Sequence, residues 1–178
     1  ASGCEWRDGQ LQNEDALALS QQADIKLPYS QVNPYAFEPA IAPHLAAEQV
    51  GETISLTVIE SQFAAMRLQA DAVVVEGAGG WLVPLNDQQT IADLAKALKL
   101  PVVLVVAIKL GCINHALLTV QAVADSGLNL VGWVANDFLD DSQSTTIIQS
   151  LKQRITAPCL GIVPRLAQDE DASAYLTL

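Results

Sequence analysis

The 178 residues are 51% apolar and 16% charged, the profile of a folded chain with one sizeable core rather than a disordered one. Nine basic against 20 acidic residues give a net charge of −11, so there is no basic stripe for nucleic acid, and phosphates would be handled locally by metal ions, backbone N–H groups and a few placed lysines. The three cysteines, Cys4, Cys112 and Cys159, are odd in number and far apart; that argues against a disulfide framework or zinc site and for a reduced, cytoplasmic setting.

The longest apolar run, Val102–Ile108, is far too short to span a membrane, and no signal peptide is expected. The chain begins at Ala1 without a methionine, so its start need not be the natural one.

Along the chain, Asn13 is a good N-cap for a helix predicted over Glu14–Gln22. Leu27 to Pro43 holds four prolines and reads as loop, with an extended piece around Val32–Phe37. Leu56, Ile59, Phe63, Met66 and Ala70 recur at helical spacing and predict a helix over Ile54–Ala70. Ala72–Glu76 reads as a buried strand, followed by a helix over Thr90–Leu98 and a strand over Pro101–Ala107. Next come a helix over Asn114–Ser126, a strand over Leu130–Ala135, a helix over Ser142–Ile155 and a strand over Cys159–Val163. The strands are nearly continuous in Val, Leu and Ile, the pattern of strands covered on both faces. Their alternation with helices predicts an α/β fold with a parallel sheet, formed as one domain over residues 1–178.

Ligands of such a sheet gather at the carboxyl ends of its strands, which singles out four places. Glu76-Gly-Ala-Gly-Gly-Trp81 offers a carboxylate for Mg²⁺ and glycines that let the backbone approach a phosphate; it could equally be a glycine turn with a solvated Glu. Lys109-Leu-Gly-Cys-Ile-Asn-His115 runs into a helix, where Gly111 to Asn114 would present free N–H groups to an anion, unless Asn114 is merely an N-cap. Asn136-Asp137 and Pro164-Arg165-Leu166 end later strands and could be turn residues. Asp15, in a first helical turn, suits the helix dipole whether or not it has a further role. His44 and His115 have no metal-ligand spacing, and no G-x-S-x-G nucleophile motif is present.

Taken together these stretches resemble dethiobiotin synthetases. The matching pieces are Ala1-Ser-Gly3, Asp15-Ala-Leu-Ala-Leu19, Val32-Asn-Pro-Tyr35, Pro43-His44, Val75-Glu-Gly-Ala-Gly-Gly-Trp81, Pro84-Leu85, Lys109 to His115 and Gly132-Trp-Val-Ala-Asn-Asp137. Glu-Gly-Ala-Gly alone is shared with cobyrinic and cobyric acid synthases; followed by Gly-Trp, and joined to Gly-Cys-Ile-Asn-His, it is far more specific.

The resemblance implies a three-layer, P-loop NTPase-like α/β fold and a homodimer. It also implies ATP- and Mg²⁺-dependent carboxylation of 7,8-diaminopelargonic acid by CO₂ or bicarbonate, with ureido ring closure to dethiobiotin in biotin biosynthesis, giving ADP and phosphate. By that resemblance Asp15 and Glu76 are Mg²⁺ ligands, and Ser2 contacts substrate. Glu76, Gly77, Ala78 and Gly79 line the phosphates, and Gly111, Cys112, Ile113 and Asn114 cradle the substrate carboxylate across the dimer interface. Asn136, Asp137, Pro164, Arg165 and Leu166 contact the nucleotide, with a further acidic contact near Asp171.

The family's opening strand, phosphate loop and helix, with two lysines, would lie before Ala1, so residues 1–178 alone are expected to be unstable and inactive. The competing expectations are a related P-loop amide-forming synthase and an inactive nucleotide-binding fragment.

Overall fold

The computed structural model describes residues 1–137, 142–167 and 170–177, which divide into two units, Ala1–Leu98 and Lys99–Leu178. Among the described residues no helix is long and apolar enough to cross a membrane.

The first unit opens with a hairpin of β1 (Glu5–Arg7) and β2 (Gln10–Gln12), antiparallel with Trp6 opposite Leu11. Asp8 and Gly9 both have positive φ, 51° and 80°, the backbone of a two-residue turn whose twist matches the strands it joins. Helix α1 (Glu14–Gln22) starts where expected, because the Asn13 side chain accepts the Ala16 N–H at 3.2 Å. At its far end the Lys26 ammonium donates to the carbonyls of Ser20, Gln21 and Ala23, groups the helix leaves without partners.

The proline-rich stretch departs from its reading in two ways. Tyr29–Val32 closes a single helical turn, α2, so Val32 is not extended, and Pro43 begins helix α3 (Pro43–Gln49) rather than ending a loop. Pro43 occupies the first turn of α3, where its missing N–H costs nothing, and Ala46 and Ala47 bury the inner face. Helices α4 (Leu56–Arg67) and α5 (Ile91–Leu98) follow and pack against each other.

Ala72–Glu76 is not a strand. The segment has no ladder partner among the described residues, and Val74 is 80% exposed. Its apolar run favours extended backbone, but a strand also needs a neighbour to pair with, and no described strand stands beside this segment.

The second unit is built on a sheet ordered β3 (Val102–Ala107), β4 (Leu130–Asp137), β5 (Cys159–Pro164), parallel as the strand–helix alternation predicts. Helices α6 (Cys112–Asp125) and α7 (Ser142–Arg154) supply the crossovers. Val106, Ile108, Ala116, Trp133, Ile148 and Leu151 interlock into one core between these helices and the sheet.

Both helices lie on that one face of the sheet. Val103 and Val105, which point the other way, are 47% and 61% exposed, so β3 is not covered on both faces as its composition predicts. The unit closes with a 3-10 helix (Ala172–Tyr175), after which the Thr177 N–H donates to the Leu160 carbonyl at 2.7 Å.

Candidate functional site

In the first unit, Asp15 stands in the first turn of α1, one residue before the buried Ala16 that anchors the turn. Glu76 ends the extended run and opens the glycine turn. Gly79 has φ +85°, and a Cβ there would lie 2.9 Å from Val83, so this turn admits only glycine without strain.

Asp15, Glu76, Gly77 and Ala78 line one cavity of about 740 Å³, whose remaining wall is mostly apolar, including Leu19, Phe63 and Leu94. Burial raises the Glu76 pKa above the ordinary carboxylate value, and the negative charge of Asp15 raises it further. Among the described residues no salt bridge reaches either carboxylate. Two acids far apart in sequence are thus held within electrostatic reach without a neutralising side chain.

Ser2 is fixed by its flanks. Gly3 N–H donates to the Pro39 carbonyl at 3.0 Å, Cys4 N–H to the Phe37 carbonyl at 2.9 Å, and Phe37 N–H to the Ala1 carbonyl at 2.9 Å. Ala1 lines the cavity, whereas Ser2 and Gly79 do not.

In the second unit, Gly111 adopts φ 87° as the N-cap of α6, so Asn114 lies inside the first turn and is not the cap. The Cys112 N–H already donates to the Lys109 carbonyl at 3.0 Å, and His115 N–H donates to the Gly111 carbonyl at 3.2 Å. That leaves the N–H groups of Ile113 and Asn114 as the donors this helix start offers to an anion.

Asn136 and Asp137 end β4 beside Val163 and Pro164 of β5, so the structure brings these nucleotide-contact candidates together at the carboxyl end of the sheet. Arg165 is exposed beyond that edge and Leu166 half-buried. Asp171 caps the 3-10 helix, accepting the Ser173 N–H at 2.8 Å and the Ser173 hydroxyl at 2.7 Å.

One family model, described as an AAA domain, matches residues 4–173 and so runs through both units. The chain is 53% identical over 182 residues to the ATP-dependent dethiobiotin synthetase BioD of Cellvibrio japonicus (strain Ueda107), covering all of this chain and 79% of that protein. It is 51% identical to the BioD of Pseudomonas aeruginosa (strain UCBPP-PA14), covering all of this chain and 80% of the relative. With the BioD of Yersinia pestis bv. Antiqua (strain Angola) the identity is 46%, over 96% of this chain and 72% of the relative.

The chain belongs to the ATP-dependent dethiobiotin synthetase family. The α/β fold with a parallel sheet flanked by helices fits that membership.

One feature of this dethiobiotin synthetase fold has no local signature in sequence. The Tyr29 hydroxyl accepts the backbone N–H of Asn13 at 2.7 Å and the Asn33 side-chain amide at 2.9 Å. Asn13 in turn donates its own amide to the Ser2 carbonyl at 3.4 Å. The N-cap role of Asn13 is legible from its position before α1; the tyrosine that receives its N–H is not.

Proposed function

We propose that this protein acts as a dethiobiotin synthetase. It takes ATP, CO₂ and 7,8-diaminopelargonic acid and closes the ureido ring, releasing ADP and phosphate. The observation that carries the reading is the pairing of Asp15 with Glu76 on a glycine turn at one cavity, in a chain about half identical to dethiobiotin synthetases.

The pair suits a Mg²⁺ ion. Mg²⁺ is a hard cation that takes one or two carboxylates, keeps several waters and shares its remaining positions with substrate phosphates. When bound, the ion supplies positive charge among the phosphates. The chain's own part is to hold the reacting groups in line. One amine takes up CO₂ as a carbamate, the carbamate oxygen attacks the γ-phosphorus as ADP leaves, and the second amine then attacks the carbamoyl carbon and expels phosphate.

In this proposal Glu76 to Gly79 line the phosphates, Ser2 contacts the substrate, and Asn136, Asp137 and Pro164 to Leu166 hold the nucleotide, with Asp171 near it. The substrate carboxylate docks at Gly111–Asn114 of a second copy, on the N–H groups of Ile113 and Asn114. A homodimer is favoured by the exposed apolar side chains around α6: Leu118 is 62% exposed and Leu110 fully so. Three free cysteines, two of them buried, suit a reducing cytoplasmic compartment.

Turnover tests the reading. In the chain extended upstream by a family-like phosphate-loop segment, Glu76→Gln keeps the shape and removes the charge, and should lower kcat on the order of 10²-fold in an ADP-release assay with diaminopelargonate, bicarbonate and MgATP. Parent-like turnover of that variant at limiting Mg²⁺ would overturn the assignment.

A further inference from the structure

Asp15 and Glu76 repel each other, so their approach has to be enforced by the structure around them. Glu76 is set by the glycine turn. Asp15 is set by the first turn of α1, whose entry is governed by Asn13. Besides its carbonyl, which accepts the Leu17 N–H at 3.0 Å, Asn13 makes three bonds there. Its side-chain oxygen accepts the Ala16 N–H at 3.2 Å, its side-chain amide donates to the Ser2 carbonyl at 3.4 Å, and its backbone N–H donates to the Tyr29 hydroxyl at 2.7 Å. Tyr29 is itself located by Asn33, whose side-chain amide donates to the same hydroxyl at 2.9 Å.

The segment holding Ser2 and the turn holding Asp15 are therefore coupled through one residue, and that residue is fixed in place by one phenol. The bonds divide the labour: Tyr29 holds the helix entry, and the Asn13 side-chain amide holds Ser2.

We propose that Tyr29 and Asn13 are positioning residues of this site, Tyr29 setting Asp15 against Glu76 and Asn13 tying that metal-binding turn to the substrate-contacting Ser2 segment. The inference rests on the metal and substrate roles proposed above. A carboxylate displaced by a fraction of an ångström binds a cation more weakly, and a displaced substrate contact raises KM. The two residues thus have separable signatures.

Tyr29→Phe keeps the ring and removes the acceptor. Asn13→Ser keeps a side chain able to cap α1 and removes the amide that reaches Ser2.

Two readouts separate the roles: Mn²⁺ titrated alone with the free ion counted by electron paramagnetic resonance, and steady-state KM for diaminopelargonate. Tyr29→Phe should weaken Mn²⁺ binding about 10-fold, the low end for groups that orient a metal ligand, with KM little changed. Asn13→Ser should raise KM about 5-fold, the scale of one hydrogen bond, with Mn²⁺ affinity little changed. If both variants match the parent in both readouts, or only melt earlier, the positioning roles are wrong. Should Asn13→Ser fail to fold, the Mn²⁺ affinity of Tyr29→Phe decides alone.

Asp15→Asn, run alongside, separates the two levels. If it binds Mn²⁺ as the parent does, the metal reading itself fails and the inference falls with it. If Asp15→Asn loses Mn²⁺ while Tyr29→Phe does not, only the inference is overturned.

Discussion

The two units solve the same problem by different means. In Lys99–Leu178 a parallel ladder and two crossover helices close on a core in which Ile108, Trp133 and Leu151 have no accessible surface. In Ala1–Leu98 the paired strands are two of three residues each, the apolar run Ala72–Glu76 has no ladder, and a cavity of about 740 Å³ opens among the helices. The acids that would neutralise nothing for each other sit in the second kind of structure. Such a pair is tolerated where solvent and a ligand can reach it, whereas in a closed core each uncompensated charge would be strongly destabilising.

Matched truncations test this contrast most strongly. Leu151→Ala, in the closed core, should destabilise by about 3 kcal/mol because it opens a new void. Leu19→Ala, on the wall of the existing cavity, should cost about 1 kcal/mol, since it only widens a space already there. Urea melts of both variants check this; equal losses would erase the distinction between the units.

A second effect is specific to the acid pair. The Glu76 pKa is raised by burial and by Asp15, so the folded protein disfavours ionised Glu76. That penalty is absent below the unfolded carboxylate pKa, grows as pH rises through the raised folded value, and is fully present above it. Glu76→Gln should therefore melt above the parent at pH 7 in metal-free buffer, with the gap closing as pH falls toward 4, although the same change is expected to lower turnover. A variant that melts below the parent at pH 7 would mean that the pair is not repulsive.

The smallest effect belongs to a conventional surface acid. Asp93 accepts the Thr90 N–H and hydroxyl, both at 2.9 Å, and pairs with Lys96 at 2.7 Å, which lowers its pKa to about 2. Its folded value lies below its unfolded one, so its stabilisation is present above about pH 4 and is lost as pH falls toward 2. Because the pair is partly solvent-screened, Asp93→Asn should cost about 1 kcal/mol at pH 7 and nearly nothing at pH 2, read from thermal melts at the two pH values. Its sign with pH is opposite to that of Glu76, which separates a paired acid from an opposed one.

Much of the second unit was legible because Val, Leu and Ile runs at regular spacing announce parallel strands, and helical periodicity announces the crossovers between them. The first unit was less so. Asp8-Gly9 between Trp6 and Leu11 is a hairpin signal that the expected elements left out, and Pro43 followed by His-Leu-Ala-Ala is a helix start hidden by the prolines before it. Ala72–Glu76 misled in the other direction, since apolar character reports a preference for extended, buried backbone and says nothing of whether an edge stands free to pair with it. Of the candidate site, Asp15 and Glu76 were visible only as a first-turn acid and the head of a glycine turn.

The sequence by itself determined the helix start at Asn13, the parallel direction of the second unit's strands and the acidic character of the chain. These follow from interactions spanning a few residues, where side-chain type and spacing suffice. Only the tertiary structure decided that Asp15 and Glu76 share one cavity, that β3 keeps one face open, and that the Tyr29 hydroxyl receives the Asn13 N–H. Each of these depends on which distant segments packing brings together, and no local period or cap encodes that choice.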